Sequence, residues 1–268
     1  MMEILVLLIA GFGAGIVTGL VGASAVVIVT PFLVIFLGYD PYSAIGISLA
    51  TDVVASSVSA YTYKKHGNIN IKGGLLIALS AVTAAVLGSW LSGGMNSAAL
   101  GGLTGIIILL TGISFRRKPI NQRVEEFKEK FDLKFFRERE KLASVLFGTL
   151  IGLMTGIFGA GGGVMILMVL TFVLDYKTHI AIGTSVLIMT FTALFGSASH
   201  FIVEQHLPYL ELFLSGSAAL AGAVTAASFA NGASEKRLSK AIGTAFIFLG
   251  LIVILNWCKT VNLFKIRF

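Results

Sequence analysis

The chain has 268 residues, 56% of them hydrophobic and only 12% charged, with a formal net charge of +7 and one cysteine. A soluble domain carries about a quarter charged residues; this composition excludes one and leaves a polytopic α-helical membrane protein with room for roughly eight to ten spans of about 20 residues. The basic residues cluster at 64–72, 116–141, 177, 236–240 and 259–267, which reads as cytoplasmic-loop bias and not as a nucleic-acid surface, while Cys258 alone excludes an internal disulfide and a multi-cysteine metal site.

Met1-Met2-Glu3 leads directly into an apolar run. It lacks the basic n-region of a secretory signal peptide, so a retained first membrane segment is expected at 3–21. Further apolar segments follow at 24–38, 42–63, 73–93 and 98–114, then at 142–158, 161–174, 179–201, 209–229 and 241–257. Continuous helices are the default, because backbone facing lipid cannot go unpaired. Between the two sets lies 115–141, with ten basic and six acidic residues around Phe127, Phe131, Phe135 and Phe136. The spacing of four predicts an amphipathic helix on the inner membrane surface, acting as a solvated connector or as a partner-binding element. The expected organisation is thus a first transmembrane repeat at 1–114, a charged cytoplasmic linker at 115–141 and a second repeat at 142–268.

The two sets match at an offset of 137. Gly15-Ile16-Val17-Thr18-Gly19-Leu20-Val21-Gly22-Ala23 aligns with Gly152-Leu153-Met154-Thr155-Gly156-Ile157-Phe158-Gly159-Ala160, Tyr39 with Tyr176, and Ala44-Ile45-Gly46-Ile47-Ser48 with Ala181-Ile182-Gly183-Thr184-Ser185. A small-residue pattern held at constant offset over this distance reads as an internal duplication. If 24–38 and 161–174 return the chain across the bilayer, each half has five segments and the halves are inverted. If they are re-entrant, each half has four spans. Lys177 tips the charge balance towards the inverted scheme.

Gly159-Ala160-Gly161-Gly162-Gly163 interrupts an apolar helix. Each glycine costs about 1 kcal/mol relative to alanine, so the run predicts a break. Broken helices near the midplane build transporter sites, their free N–H groups and dipole favouring an anion. The first half has Gly22-Ala23-Ser24-Ala25-Val26 there, without the triple glycine. The bland reading is close helix packing through Gly15-xxx-Gly19 and Gly152-xxx-Gly156. Asp52, at the centre of 42–63, shares one helix face with Ser48, Ser56 and Ser59. It reads as a proton- or cation-coupling site or as an inter-helix hydrogen-bonding acid, and its repeat partner is Met189. Ser48 and Ser185 are repeat partners expected to face each other across a pseudo-symmetry axis. His179 and His200 lie near segment ends and are expected at the interface, as are Tyr61, Tyr63, Trp90 and Trp257. No HExxH, Walker A or GxSxG motif is present, so neither an enzyme nor a cofactor is expected.

These residues resemble the TauE/SafE family of sulfite-exporter-like permeases. The likeness rests on the glycine-rich run at 152–163 and its weaker copy at 15–26, on Pro31, on the Ala-Ile-Gly-[Ile/Thr]-Ser runs at 44–48 and 181–185, and on the turn at 63–69. The resemblance implies a multi-pass transporter of the plasma or inner membrane for sulfite, sulfoacetate or a related organosulfur oxyanion. The expected anion site comprises Gly22, Ala23, Ser24, Ser48, Gly159, Gly161, Gly162, Gly163 and Ser185, with Asp52 coupling transport to a proton or cation. A passive anion channel and a non-transporting membrane component recruiting a partner through 115–141 are the rival readings. The expected partners are the anion, the bilayer and the coupling ion; a homodimer is common in such folds and is left open by the sequence.

Overall fold

A computed structural model describes residues 2–96, 134–159 and 162–230, with isolated positions between 102 and 113 and between 247 and 255. The segments expected at 98–114 and 241–257, and most of the linker, therefore fall largely outside the described residues. Among the described residues the regular structure is entirely helical. In the first half these are α1 (Met2–Val21), α2 (Val26–Phe36), α3 (Pro41–Lys65) and α4 (Ile71–Gly93). Then come the short α5 (Lys134–Glu138), α6 (Glu140–Phe158), α7 (Gly162–Met168) continued by a π-helical turn (Val169–Val173), α8 (Thr178–Glu204) and α9 (Tyr209–Ala230). Six of them, α1, α3, α4, α6, α8 and α9, are long and apolar enough to cross a membrane.

Local chemistry sets the boundaries. Asp40 accepts a bond from the Tyr42 N–H (2.9 Å) and Pro41 opens α3, the preferred order for a helix start. Asn70 caps α4 through the Gly73 N–H at 3.0 Å. α2 has 11 residues, about 16 Å at 1.5 Å per residue, half of a ~30 Å hydrocarbon core.

The element boundaries follow the offset read from the sequence. α6 to α8 start at residues 140, 162 and 178, within two of the starts of α1 to α3 displaced by 137; α9 starts 138 after α4. Packing repeats in the same register. Gly11, Gly15 and Gly19 of α1 lie on the backbone of Ser215, Ala219 and Ala223 of α9, and Gly148, Gly152 and Gly156 of α6 lie on that of Ile77, Ala81 and Ala85 of α4. The first long helix of each half is thus seated on the last described helix of the other, and both pairs run parallel.

Helix directions follow from these contacts. α3 and α8 are antiparallel, with Gly46 beside His200 and Tyr63 beside Gly183. α4 runs with α8, since Gly74 meets Thr184 and Gly93 meets Val203. α3 runs with α1, whose Glu3 lies near Tyr39 just before α3 and whose Gly19 carbonyl meets Tyr63 at its far end, and hence with α9, which it touches through the Thr51–Ser215 hydroxyl pair at 2.7 Å. Hence α1, α3 and α9 point one way and α4, α6 and α8 the other, so equivalent helices of the two halves are opposed, as the inverted scheme requires. α2 is the short return between two parallel helices.

The basic residues separate along this axis, whereas acids occur at both ends, Glu138, Glu140 and Asp175 among them at the basic one. Lys64, Lys65, Lys72, Arg139, Lys141 and Lys177 lie at one end, while Glu3, Asp40, Glu204 and Glu211 lie at the other, which has no Lys or Arg among the described residues. The positive-inside rule assigns the basic end to the cytoplasm. At the acidic end Tyr39 is hydrogen-bonded to Glu211 and Ser43 to Glu204. α5 carries Phe135, exposed beneath the Arg139 guanidinium (4.8 Å), and Phe136, which packs on Phe147. Trp90 is 66% exposed, as an interface or lipid-facing residue should be.

Candidate anion site at the paired helix breaks

Each half opens with a helix that stops at a glycine. Gly22 has φ +68° and its N–H bonds the Thr18 carbonyl at 2.9 Å; Gly159 has φ +64° and its N–H bonds the Thr155 carbonyl at 2.8 Å. The left-handed conformation that ends a helix this way strains any residue with a Cβ. Space closes the same positions. A Cβ on Gly22 would sit 2.9 Å from the Ser185 Oγ, and one on Gly159 would sit 2.7 Å from the Ile45 side chain. The first break therefore rests on α8 and the second on α3.

The two breaks meet. Gly163, on the first turn of α7, has no room for a Cβ against the Gly22 carbonyl and the Met189 sulfur. The Ser24 Oγ lies 3.5 Å from the Gly159 carbonyl oxygen. Gly162 faces the Thr155 side chain. Ala23 is fully buried, and its carbonyl accepts the Thr18 hydroxyl at 2.9 Å. Gly161 lies outside the described residues.

Asp52 joins this junction. Its Oδ2 accepts the Ser24 hydroxyl at 2.6 Å and its Oδ1 accepts the Ala25 N–H at 3.0 Å. The side chain is buried, mid-way along α3. The carboxylate is therefore seated on the start of α2, where the helix dipole favours negative charge and where the next two N–H groups, of Val26 and Val27, bond the Ser24 hydroxyl and carbonyl (both 3.3 Å). In the second half Met189 stands in its place, against Gly163. An internal carboxylate thus occupies the anion-favouring position of one half but not of the other.

Ser48 and Ser185 are not brought together. Ser48 accepts the Thr30 hydroxyl (2.8 Å) and donates to the Ala44 carbonyl (2.6 Å), near the end where Gly46 meets His200. Ser185 donates to the Ile182 carbonyl (2.8 Å) and borders Gly22, near the Tyr63 end. α3 and α8 are antiparallel, so the repeat partners lie at different depths. The rest of the polar stripe is satisfied within its own helix: Ser56 donates to the Asp52 carbonyl and Ser59 to that of Ala55. Such back-bonding is the usual state of hydroxyls in membrane helices.

His200 and Tyr63, expected at the interface, are buried. His200 Nε2 lies 3.0 Å from the Gly156 carbonyl, and the Tyr63 hydroxyl donates to the Gly19 carbonyl at 3.3 Å. Both pairs are related by 137: a ring on the second long helix of each half is tied to the same glycine of its first. The offset holds this signal, since residue 63 maps to 200 and 19 to 156, whereas position near a segment end points to the interface.

Comparison with known proteins adds to this geometry. A family model described as "Sulfite exporter TauE/SafE" matches residues 7–253. The probable membrane transporter protein YdhB of Bacillus subtilis is 26% identical over 243 residues, 91% of this chain and 97% of its own length. The probable membrane transporter protein YunE of the same organism is 23% identical over 224 residues, covering 78% and 82%. A probable membrane transporter protein of Xylella fastidiosa is 30% identical over 179 residues, covering 65% and 64%. No solved structure matches the chain.

Proposed function

The chain belongs to the sulfite exporter TauE/SafE family, a family of membrane transporters, and on that premise we propose that it carries a small anion, sulfite, sulfoacetate or a related organosulfur oxyanion, by alternating access between its two halves. The observation that carries the reading is the seat of Asp52 on the start of α2, where the two breaks touch. A hydroxyl and a backbone N–H that hold a carboxylate can equally hold an oxyanion. The second half has Met189 where the first has its acid, and there the substrate supplies the missing charge. It lies against the backbone of Gly22, Ala23, Gly159, Gly161, Gly162 and Gly163, with the Ser24 and Ser185 hydroxyls turning from Asp52 and the Ile182 carbonyl to donate to it. Ser48 acts one step away, holding α2 to α3 through Thr30.

Asp52 is the coupling group. Two unit charges about 4 Å apart repel by about 4 kcal/mol at an effective dielectric constant of about 20. An anion at the junction is therefore held when Asp52 carries a proton and released when it does not, so proton and anion travel in the same direction. Proteoliposomes preloaded with unlabelled sulfite test this by uptake of labelled sulfite, with sulfate and sulfoacetate as competitors. Transient accumulation above equilibrium is expected of a carrier. Simple equilibration would make it a channel, and no flux with any of the three would remove the sulfur-anion assignment. In Asp52→Asn, exchange of labelled for unlabelled sulfite should persist while accumulation driven by a pH gradient is lost; an unchanged response to the gradient would sink the coupling role.

A further inference from the structure

At the cytoplasmic end a groove of about 250 Å³ opens between α3 and α8, lined by Ser57, Ala60, Tyr61, Lys64, Leu187 and Thr190 among others. Lys64 stands one residue before the end of α3 and Ser57 two turns deeper, about 10 Å at 1.5 Å per residue. The groove thus runs from headgroup level into the hydrocarbon. Its deepest lining residues, Ser57 and Thr190, turn their hydroxyls onto the Val53 and Val186 carbonyls of their own helices (2.6 and 2.9 Å), and Tyr61, two-thirds exposed, stands at its side with the Lys65 Nζ 5.9 Å from the ring centroid.

The opposite end supplies an internal comparison. A larger groove of about 810 Å³ there is lined by Leu194, Ala198, Phe201 and Tyr209, the repeat partners of Ser57, Tyr61, Lys64 and Ile71 at offsets of 137 and 138. The two grooves share this wall by repeat, but the α8 side of the cytoplasmic one does not recur: the partners of Leu187 and Thr190 are Ala50 and Val53, outside the outer groove's lining. The cytoplasmic one has a lysine where the outer one has a phenylalanine, and Glu204 and Glu211 lie at the outer end. An apolar trough with a cation at headgroup depth fits a molecule with a long apolar tail and an anionic head, as the inner leaflet provides.

We propose that the α3–α8 groove binds one anionic phospholipid of the inner leaflet, its phosphate on Lys64 and Lys65 and an acyl chain along Tyr61, Ala60 and Leu187. The site is separate from the paired breaks and does not depend on the transported substrate. Native mass spectrometry of the purified full chain in neutral detergent tests it, with phosphatidylglycerol and phosphatidylcholine of identical acyl chains as probes. One phosphatidylglycerol should be retained in preference to phosphatidylcholine. The double substitution K64Q/K65Q should weaken its retention about 25-fold, about fivefold per lysine, with no change in thermal unfolding of the delipidated protein. K72Q, at the same end but outside the groove, should leave retention unchanged. Equal retention of the two lipids, an unaffected K64Q/K65Q variant, an equal loss in K72Q, or displacement of phosphatidylglycerol by inorganic phosphate would each overturn the proposal.

Discussion

Gly22 and Gly159 carry two constraints at once, a positive φ and a side-chain wall on the element they face. Replacing either by alanine adds left-handed strain of about 1 kcal/mol to a steric cost of about 1–3 kcal/mol. Both variants should melt lower than the parent in detergent, and an unchanged melting temperature in either would show that the break relaxes freely. The ring-to-carbonyl ties grade differently. Tyr63→Phe removes one hydrogen bond within the bundle and should cost about 0.6 kcal/mol, the average for such bonds in membranes. His200→Leu also forfeits the ring packed on Tyr42 at 4.2 Å and, among the described side chains, leaves the Gly156 carbonyl the long 3.5 Å Ser92 contact, a cost of about 1–3 kcal/mol. Thermal unfolding of the pair, with His200→Leu the lower, checks the order. At this scale the sequence was partly legible. Glycine runs announced the breaks and mid-segment placement marked Asp52. The partners of Asp52 were not visible, because Ser24 and Ala25 lie 28 and 27 residues away and meet it only because α2 folds back.

Among the elements, the glycine spacing of α1 and α6 resolves the two readings of the duplicated motif. The GxxxG portions pack helices, while the glycines after them form the breaks. In Gly15 and Gly152 an added Cβ would run into the backbone of Ala219 and Ala81, which cannot move aside, whereas at Gly13 the nearest atom is an Ile28 methyl at 3.7 Å. Gly15→Ala and Gly152→Ala should therefore each destabilise by about 1–3 kcal/mol. Gly13→Ala should be neutral or stabilising by up to about 1 kcal/mol through helix propensity. Denaturation of the three variants side by side measures the contrast, and equal losses would mean that the parallel pairs α1–α9 and α4–α6 are looser than their contacts indicate. With 11 residues α2 falls short of a full crossing, a limit that the length of segment 24–38, at about 1.5 Å per residue, also sets. Which helix each glycine face meets was beyond periodicity, since the face says only that something comes close.

For the whole molecule, opposed halves and an axis that sorts the basic residues make a sided prediction. In a Cys258→Ser background, single cysteines at His66 and Lys177 should react with a membrane-impermeant thiol reagent from the cytoplasmic side, and those at Asp40 and His206 from the outside. Labelling of His66 and Asp40 from the same side would contradict the helix directions. In the sequence this sidedness rests on the basic clusters, and the two-part reading rests on the offset of 137, with which the helix boundaries are compatible. The exchange of partners between halves was not readable, because a repeat in sequence is silent on whether its copies pack side by side or through each other. That exchange governs the timing of assembly. Chains emerge at about 5–20 residues per second, and the α9 surface that receives Gly11 of α1 lies about two hundred residues downstream, roughly 10–40 s later. α4 waits for α6 only about a third as long. The nascent protein therefore completes its α4–α6 pair first and holds α1 with its glycine face against lipid until almost the last described helix enters the membrane, which makes that interval the one in which a chaperone or insertase has the most to protect.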